Sequence, residues 1–398
     1  MMKILRWIVI LILFSFLSTA AVIFTPAFPE LSKQFQLSSA DAQWMMTIFF
    51  LGTAFGRLPY GPLANRYGRK KTLLLGLFIA ILGTLLILST ESYAVLCLGR
   101  LIQALGCTVT LKIGYTMVGD LYSGAEATRV LSYSLFAYAI LPGIGTSVSG
   151  LLVASYGWRG GFWFFLLFTV CFMLLCLTLP ETMKKADPDA LKIKRIASAY
   201  AKQFRNLSLV LWGSLMGLST AVLFIFSQEA PFIAIDIMGM TPVEYGFYFL
   251  VPAIGIAAGS LATAWLADKW TPLKGMKWGI FTILFSTLGR GALLLCGFQG
   301  WWVLFIPQTL IQFGDALLYT NASSAAMTEA EDKSNASAIL LFINSFVSVL
   351  GTFFVGILAP RESLAMPISF LIIVAIMWAL WILLRRHGRR KCHLDVQA

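Results

Sequence analysis

Twelve apolar stretches, each about 20 residues long and parted by short polar links, restrict this chain to very few architectures. A segment surrounded by lipid must satisfy its own backbone hydrogen bonds, so each stretch is expected to be an α-helix. The helices are placed near 7–28, 42–61, 72–90, 94–119, 129–153, 161–179, 208–235, 245–267, 277–297, 301–323, 336–358 and 365–384. Hydrophobic residues make up 59% of the chain and charged residues 12%, about half the charged share of a soluble domain. The expected class is an all-α membrane protein with twelve transmembrane helices. The first stretch, with Lys3 and Arg6 ahead of an apolar run to Ala21, also has the form of a secretory signal with small residues at Thr19, Ala20 and Ala21. Apolar character continues to Phe28, which favours an uncleaved first helix.

Charge sets the orientation. With a cytoplasmic N-terminus, 23 of the 30 Lys and Arg fall on the cytoplasmic side, only Lys33, Arg159 and Arg361 on the other, and four lie inside helices. Both termini are then cytoplasmic, and the net charge of +12 reflects topology. No polybasic domain or aromatic-interleaved patch points to nucleic acid. The six cysteines (Cys97, Cys107, Cys171, Cys176, Cys296, Cys392) have neither metal nor disulfide-framework spacing, and both histidines, His387 and His393, lie in the terminal tail. No phosphate-cradling glycine loop occurs. The residues thus call for no metal, no cofactor and no enzymatic role. The one long polar link carries seven cations against three acids between Glu181 and Arg205, and Asp189 to Phe204 could form a surface helix. The expected organisation is 1–180 (six helices), 181–207 (cytoplasmic linker), 208–385 (six helices) and 386–398 (basic tail).

The link between the second and third helices reads Gly61-Pro-Leu-Ala-Asn65-Arg66-Tyr-Gly68-Arg69-Lys70-Lys71. Four cations and no acid hold it on the cytoplasmic side, and its glycines permit a tight turn. A shift of 203 residues lays Gly61-Pro-Leu-Ala-Asn-Arg on Ala264-Trp-Leu-Ala-Asp-Lys, and Gly76 on Gly279, with Asp268 where Asn65 stands. This points to two related halves, as transporters often have.

The link resembles the signature G-x-L-x-D-R-x-G-R-[RK] of the major facilitator superfamily, with Asn65 in place of the acid. The resemblance implies two pseudo-symmetric six-helix bundles that rock about a midplane site. It also implies a latch in which the loop cations meet Asp120 and Glu126 when the cytoplasmic side closes, here altered by Asn65. Arg100-Leu-Ile-Gln103-Ala-Leu-Gly106 is similar to the family's R-x-x-Q-G-x-G on helix 4, where the arginine lies in the cavity and is tied to proton coupling. Pro142, Gly145 and Gly150 on helix 5 are similar to the antiporter signature G-P-x-x-G-G, with Thr146 and Ser149 as departures; packing accounts for them equally well. Phe24-Thr-Pro26-Ala-Phe-Pro29, Leu58-Pro-Tyr-Gly-Pro-Leu and Gly157-Trp158-Arg159 resemble the bicyclomycin/chloramphenicol-resistance branch of drug:proton antiporters. That branch carries an aspartate where this chain has Val22.

Charged groups inside the membrane usually face a cavity, a partner or a pathway. They are Arg57, Arg100, Lys112, Glu229, Arg290 and Asp315. A carboxyl removed from water can take up and release a proton during a cycle, so Glu229 and Asp315 are the candidates to replace the missing aspartate. Ion pairs are the structural alternative, Glu229 with Arg290 or Arg100 and Asp315 with Arg57 or Lys112. Arg100 could instead snorkel to the membrane surface. Lys112 lies roughly 120° around the helix from Arg100; if it faces the same cavity, an anionic or zwitterionic substrate is favoured. Aromatic residues such as Trp44, Tyr138, Phe226, Tyr248 and Tyr319 could line a broad apolar site or simply pack.

The resemblance implies a monomeric, proton-coupled exporter of drugs or small amphipathic compounds in the bacterial inner membrane, its partners being lipid, protons and a small molecule. The alternative is a metabolite or siderophore transporter on the same fold.

Overall fold

The computed structural model describes residues 2–37, 39–122, 124–183, 185–328, 333–358 and 364–397; Arg361 lies outside them. The described residues hold twelve long helices. They are α1 (Met2–Val22), α2 (Ser39–Tyr67), α3 (Arg69–Leu88), α4 (Tyr93–Cys107 and Val109–Leu121), α5 (Gly124–Tyr156) and α6 (Arg159–Cys176). After a linker helix, Ile193–Phe204, come α7 (Leu207–Pro231), α8 (Pro242–Tyr248 and Leu250–Leu266), α9 (Pro272–Leu295), α10 (Trp301–Thr328), α11 (Lys333–Leu358) and α12 (Ala365–Gln397). Ten of the twelve are both long and apolar enough to cross a bilayer on composition alone; α2 and α10 are the exceptions. Polar residues within α2 (Arg57, Asn65) and α10 (Gln308, Gln312, Asp315, Asn321) lower their apolar content. A span can carry such groups when they face protein and not lipid.

Prolines explain two departures from the expected bounds, at the ends of α1 and α7. Helix α1 ends at Val22 instead of continuing to 28, and a 3₁₀ turn, Thr25–Ala27, leads into a short helix, Phe28–Gln34. Pro26 and Pro29 lack the N–H groups that a continuous helix needs. After Pro231, α7 loosens into a π turn over Phe232–Ile237, closed by a bond from Met238 N–H to Ile233 O. The linker helix begins four residues later than expected, and α12 continues as helix to Gln397, past the expected end at 384.

Two compact units divide the chain: residues 1–197 with 231–250, and residues 198–230 with 251–398. The first is held by a close crossing of α3 and α4, where a Cβ added at Gly106 would stand 2.5 Å from the Gly76 carbonyl oxygen. Rings of Phe165, Phe168 and Phe172 on α6 surround Phe16 of α1 with centroids 5.3–5.5 Å away. In the second unit α9 and α10 cross the same way: a Cβ at Gly314 would stand 2.6 Å from the Gly279 carbonyl oxygen. The 203-residue shift already pairs Gly76 with Gly279. Helices α4 and α10 begin at Tyr93 and Trp301, and aligning those starts pairs Gly106 with Gly314. Each half therefore contains the same glycine-on-glycine helix crossing, the close backbone approach that membrane helices use where no hydrophobic effect drives them together. The same alignment places Gln308 where Arg100 stands.

Candidate functional site

Arg100 sits in the second turn of α4 and is 0% exposed. Its guanidinium carbon lies 3.9 Å from the ring centre of Phe24 and 4.1 Å from that of Phe49. One terminal nitrogen donates to Gln103 Oε1 at 2.6 Å and to the Ala20 carbonyl at 3.3 Å. Gln103 in turn donates to Thr84 Oγ1 at 2.9 Å, so its amide is fixed with the oxygen toward Arg100. Among the described residues Nε and the second terminal nitrogen have no hydrogen-bond partner. The side chain thus points into the unit, between two phenyl faces that attract a cation, and does not snorkel. Two nitrogens of a buried guanidinium, with three N–H donors between them, remain available to an incoming acceptor.

Lys112 is not brought to this place. It lies twelve residues further along α4, about 18 Å by helical rise, with its Cε 3.6 Å from where a Cβ of Gly61 would be.

Within the second unit Asp315 is 7% exposed and accepts one hydrogen bond, from Ser219 Oγ of α7 at 2.6 Å. Among the described residues it has no ion pair. Glu229 lies near the end of α7, 5% exposed, beside Gln228, whose amide nitrogen has no partner. Arg290, 2% exposed, donates to the Met366 sulfur at 2.7 Å while its Nε is unpartnered.

The α2–α3 turn forms a second cluster. Gly68 has φ +104°, a region that side-chain-bearing residues rarely adopt, and this reversal lets α3 start directly against α2. Arg69 Nε meets Asp120 Oδ2 at 3.2 Å, and one of its terminal nitrogens donates to the Ala64 carbonyl at 3.0 Å. The carbonyl of Asn65 accepts from Asp187 N–H at 2.9 Å, and Arg66 adds to the positive field on the Asp187 carboxylate. Glu126, half-buried, lies in the first turn of α5, and Asp268 is exposed in the α8–α9 turn.

Sequence reasoning missed Glu181, which it counted only as a linker charge. The Glu181 carboxylate accepts from four backbone N–H groups: Arg69 at 2.9 Å, Lys70 at 3.1 Å, Thr182 at 2.9 Å and Met183 at 3.0 Å. The first two are free donors at the start of α3, where the helix dipole favours an anion. A Cβ at Gly68 would overlap this carboxylate. Thr182 Oγ1 donates to Asp120 at 2.9 Å, so the end of α6, the start of α3 and the end of α4 are joined.

Burial opposes the Glu181 charge, but the four N–H groups outweigh it and hold the carboxyl below its ordinary value of 4.5. A depressed folded-state value means that its stabilisation is complete above pH 4.5 and is lost as pH falls through the lowered value. Glu181→Gln is expected to lower stability at neutral pH by about 1 kcal/mol, allowing for solvent screening. Thermal melts of purified protein across the acid range check this: the difference from wild type should vanish at low pH, and a pH-independent difference would refute the account.

The helix-5 residues work at a crossing. A Cβ at Gly145 would stand 2.9 Å from Thr19 Cγ2 of α1, and one at Gly150 would overlap the Pro242 carbonyl. Thr146 Oγ1 donates to the carbonyl of Pro142 at 2.9 Å, and Ser147 Oγ donates to that of Gly246 at 2.7 Å. Also unforeseen were Gln308 and Gln312, two turns and one turn from Asp315 on the same side of α10. Their spacing of i, i+4 and i+7 was the available signal.

Residues 8–290 match the family described as Major Facilitator Superfamily. The chain is 30% identical over 295 residues to an uncharacterized transporter of Rickettsia bellii, covering 74% of this chain and 72% of that protein. It is 25% identical over 339 residues to the chloramphenicol resistance protein CraA of Acinetobacter baumannii, covering 82% and 79%. Its fold is similar to the crystal structure of a D-xylose-proton symporter, with a TM-score of 0.75, 13% identity, and 95% and 98% of the two chains covered.

Proposed function

Because the chain belongs to the Major Facilitator Superfamily, we propose that it is a proton-coupled exporter of drugs or small amphipathic compounds, working by alternating access. It acts as a monomer in the bacterial inner membrane with both termini in the cytoplasm. The observation that carries the reading is Asp315, a buried carboxyl in mid-helix that accepts a bond from one hydroxyl and, among the described residues, has no ion pair. Neutral when protonated and costly to keep charged when desolvated, such a group couples proton binding to the opening and closing of a cavity. Glu229 is the second candidate for this role. The name of the Acinetobacter relative and the motifs shared with the bicyclomycin/chloramphenicol-resistance branch favour efflux and a substrate such as chloramphenicol.

Arg100 holds the cavity side of α4 ready for an acceptor, while Asp120, Arg66, Arg69 and Glu181 close the cytoplasmic end as a latch. Glu126 and Asp268 supply further anions to the two related loops. A second reading, transport of an anionic metabolite or siderophore, is favoured by Arg100 and Arg290, two buried guanidinium groups with unpartnered nitrogens.

The test is chloramphenicol-dependent proton movement in proteoliposomes with a pH-sensitive dye inside. Glu229→Gln or Asp315→Asn is expected to abolish gradient-driven transport while the protein still reaches the membrane. If both variants transport like wild type, the carboxyl mechanism is wrong.

A further inference from the structure

One face of α10 is polar over much of its length. Gln308, Gln312, Asp315 and Tyr319 lie within an arc of about 60° and along about 16 Å of the axis, over half of a hydrocarbon core roughly 30 Å thick. Gln308, Gln312 and Asp315 are 0%, 2% and 7% exposed. Among the described residues neither amide atom of Gln308 has a hydrogen-bond partner, nor does Nε2 of Gln312. Beyond Asp315 the polar face continues through side chains: Asn344 of α11 donates to the Tyr319 hydroxyl at 3.3 Å, and Thr220 of α7 donates to Asn344 Oδ1 at 2.8 Å.

Buried amides are nearly always paired, with protein or with ordered water. These three amide atoms, one and two turns from the Asp315 carboxyl, are a donor–acceptor set that small hydrogen-bonding molecules such as water can satisfy.

We propose that this face of α10 holds a file of water that conducts protons to and from Asp315, within the second unit alone. The inference rests on the reading that Asp315 carries a proton. In the loading step a hydronium beside Gln312 gives its proton to the Asp315 carboxylate; the O–H bond of the acid forms, and a neutral water remains. In the unloading step the acid O–H breaks toward a water on the Tyr319 side, regenerating carboxylate and hydronium. Nothing is oxidised or reduced. The amides of Gln308 and Gln312 can each donate and accept, so they can orient water for either direction of travel.

The titratable and charged groups described on the neighbouring elements are Tyr319 on α10, Glu229 on α7, Glu244, Tyr245 and Tyr248 on α8, and Arg290, Lys274 and Lys277 on α9. Glu229 is ten residues along α7 from Ser219. Arg290 is turned to the Met366 sulfur. Lys274 and Lys277 rest over the rings of Trp270 and Phe281 at 5.1 and 5.6 Å.

The experiment is hydrogen–deuterium exchange of the Asp315 carboxyl, followed by infrared spectroscopy of the full-length protein in lipid nanodiscs after a rapid change to heavy water. The protonated-carboxyl C=O band that disappears in Asp315→Asn identifies the group. In the double variant Gln308→Leu/Gln312→Leu its exchange should slow at least about tenfold, since each lost hydrogen bond to a migrating charge is worth of order a decade in rate. The same variant should melt no lower than wild type, because unpaired buried amides are replaced by apolar groups of similar size. A purely structural role predicts the reverse, a lower melting temperature with unchanged exchange. Should the double variant not fold, Gln308→Met keeps length and volume and reads the same exchange.

Wild-type exchange in the folded variant overturns the proposal. If Asp315→Asn also keeps gradient-driven transport, the Asp315 reading falls with it. If Asp315→Asn loses transport while the glutamine variants exchange normally, only the water file is wrong. Absence of any carboxyl band assignable to Asp315 between about pH 5 and 9 overturns both.

Discussion

Arg100→Leu is expected to stop gradient-driven transport while leaving the protein folded and at least as stable as wild type. The guanidinium is fully enclosed, with phenyl rings on both faces and two nitrogens unpartnered. A group kept in that state contributes little to holding the fold together. Replacing a buried ion pair with apolar side chains of similar volume is often neutral, or stabilising by about 1–4 kcal/mol, and among the described residues Arg100 has no carboxylate partner that would be left behind charged. Transport should nonetheless fall by about two orders of magnitude, the typical loss when a buried electrostatic donor is removed from a functional site.

Arg100→Lys separates charge from shape. It keeps the cation but loses the flat fork that can stack on Phe24 and Phe49 while donating to Gln103. It should retain part of the activity, with a drop of about tenfold. Initial rates in proteoliposomes and melting temperatures of the same preparations give both readouts. Transport by Arg100→Leu at the wild-type rate would remove Arg100 from the mechanism. A large fall in its melting temperature would make the residue structural.

Gly106→Val and Gly314→Val are expected to have the largest effect on folding, and an equal one in the two units. At Gly106 the new Cβ would meet the Gly76 carbonyl at 2.5 Å, and at Gly314 the Gly279 carbonyl at 2.6 Å. In both cases the obstacle is backbone of a facing helix, so no side chain can swing aside. Separating the helices forfeits the close packing that holds membrane bundles together. A loss of about 3 kcal/mol or more is expected, enough to prevent accumulation of folded protein. Gly119→Ala is the control, since nothing stands within 4 Å of its added Cβ and alanine favours a helix. Size-exclusion profiles and melts of the three variants test this. A monodisperse Gly106→Val protein with a wild-type melt would show that the crossing tolerates separation.

The sequence by itself determined what is local. A helix in lipid must satisfy its backbone within its own span, so length and apolar character reveal it without knowledge of its neighbours. Even α2 and α10, which are not among the ten that pass on composition alone, were legible as apolar stretches of spanning length. Local too was the i, i+3 relation that brings Arg100 and Gln103 together. The repeat was legible only as a short match; its physical meaning, the same helix crossing at Gly76–Gly106 and Gly279–Gly314, needed two helices in place at once.

The tertiary structure decided every partner supplied from a distance. The four N–H groups around Glu181 include two from residues 111 and 112 positions earlier, and no charge count could distinguish this acid from its neighbours in the linker. Phe24 reaches Arg100 from the turn that follows α1 and Phe49 from α2, and Ser219 reaches Asp315 across 96 residues. Hydropathy records how a residue interacts with lipid and water, whereas the environment of a buried polar group depends on which helix faces it, and that is set by packing.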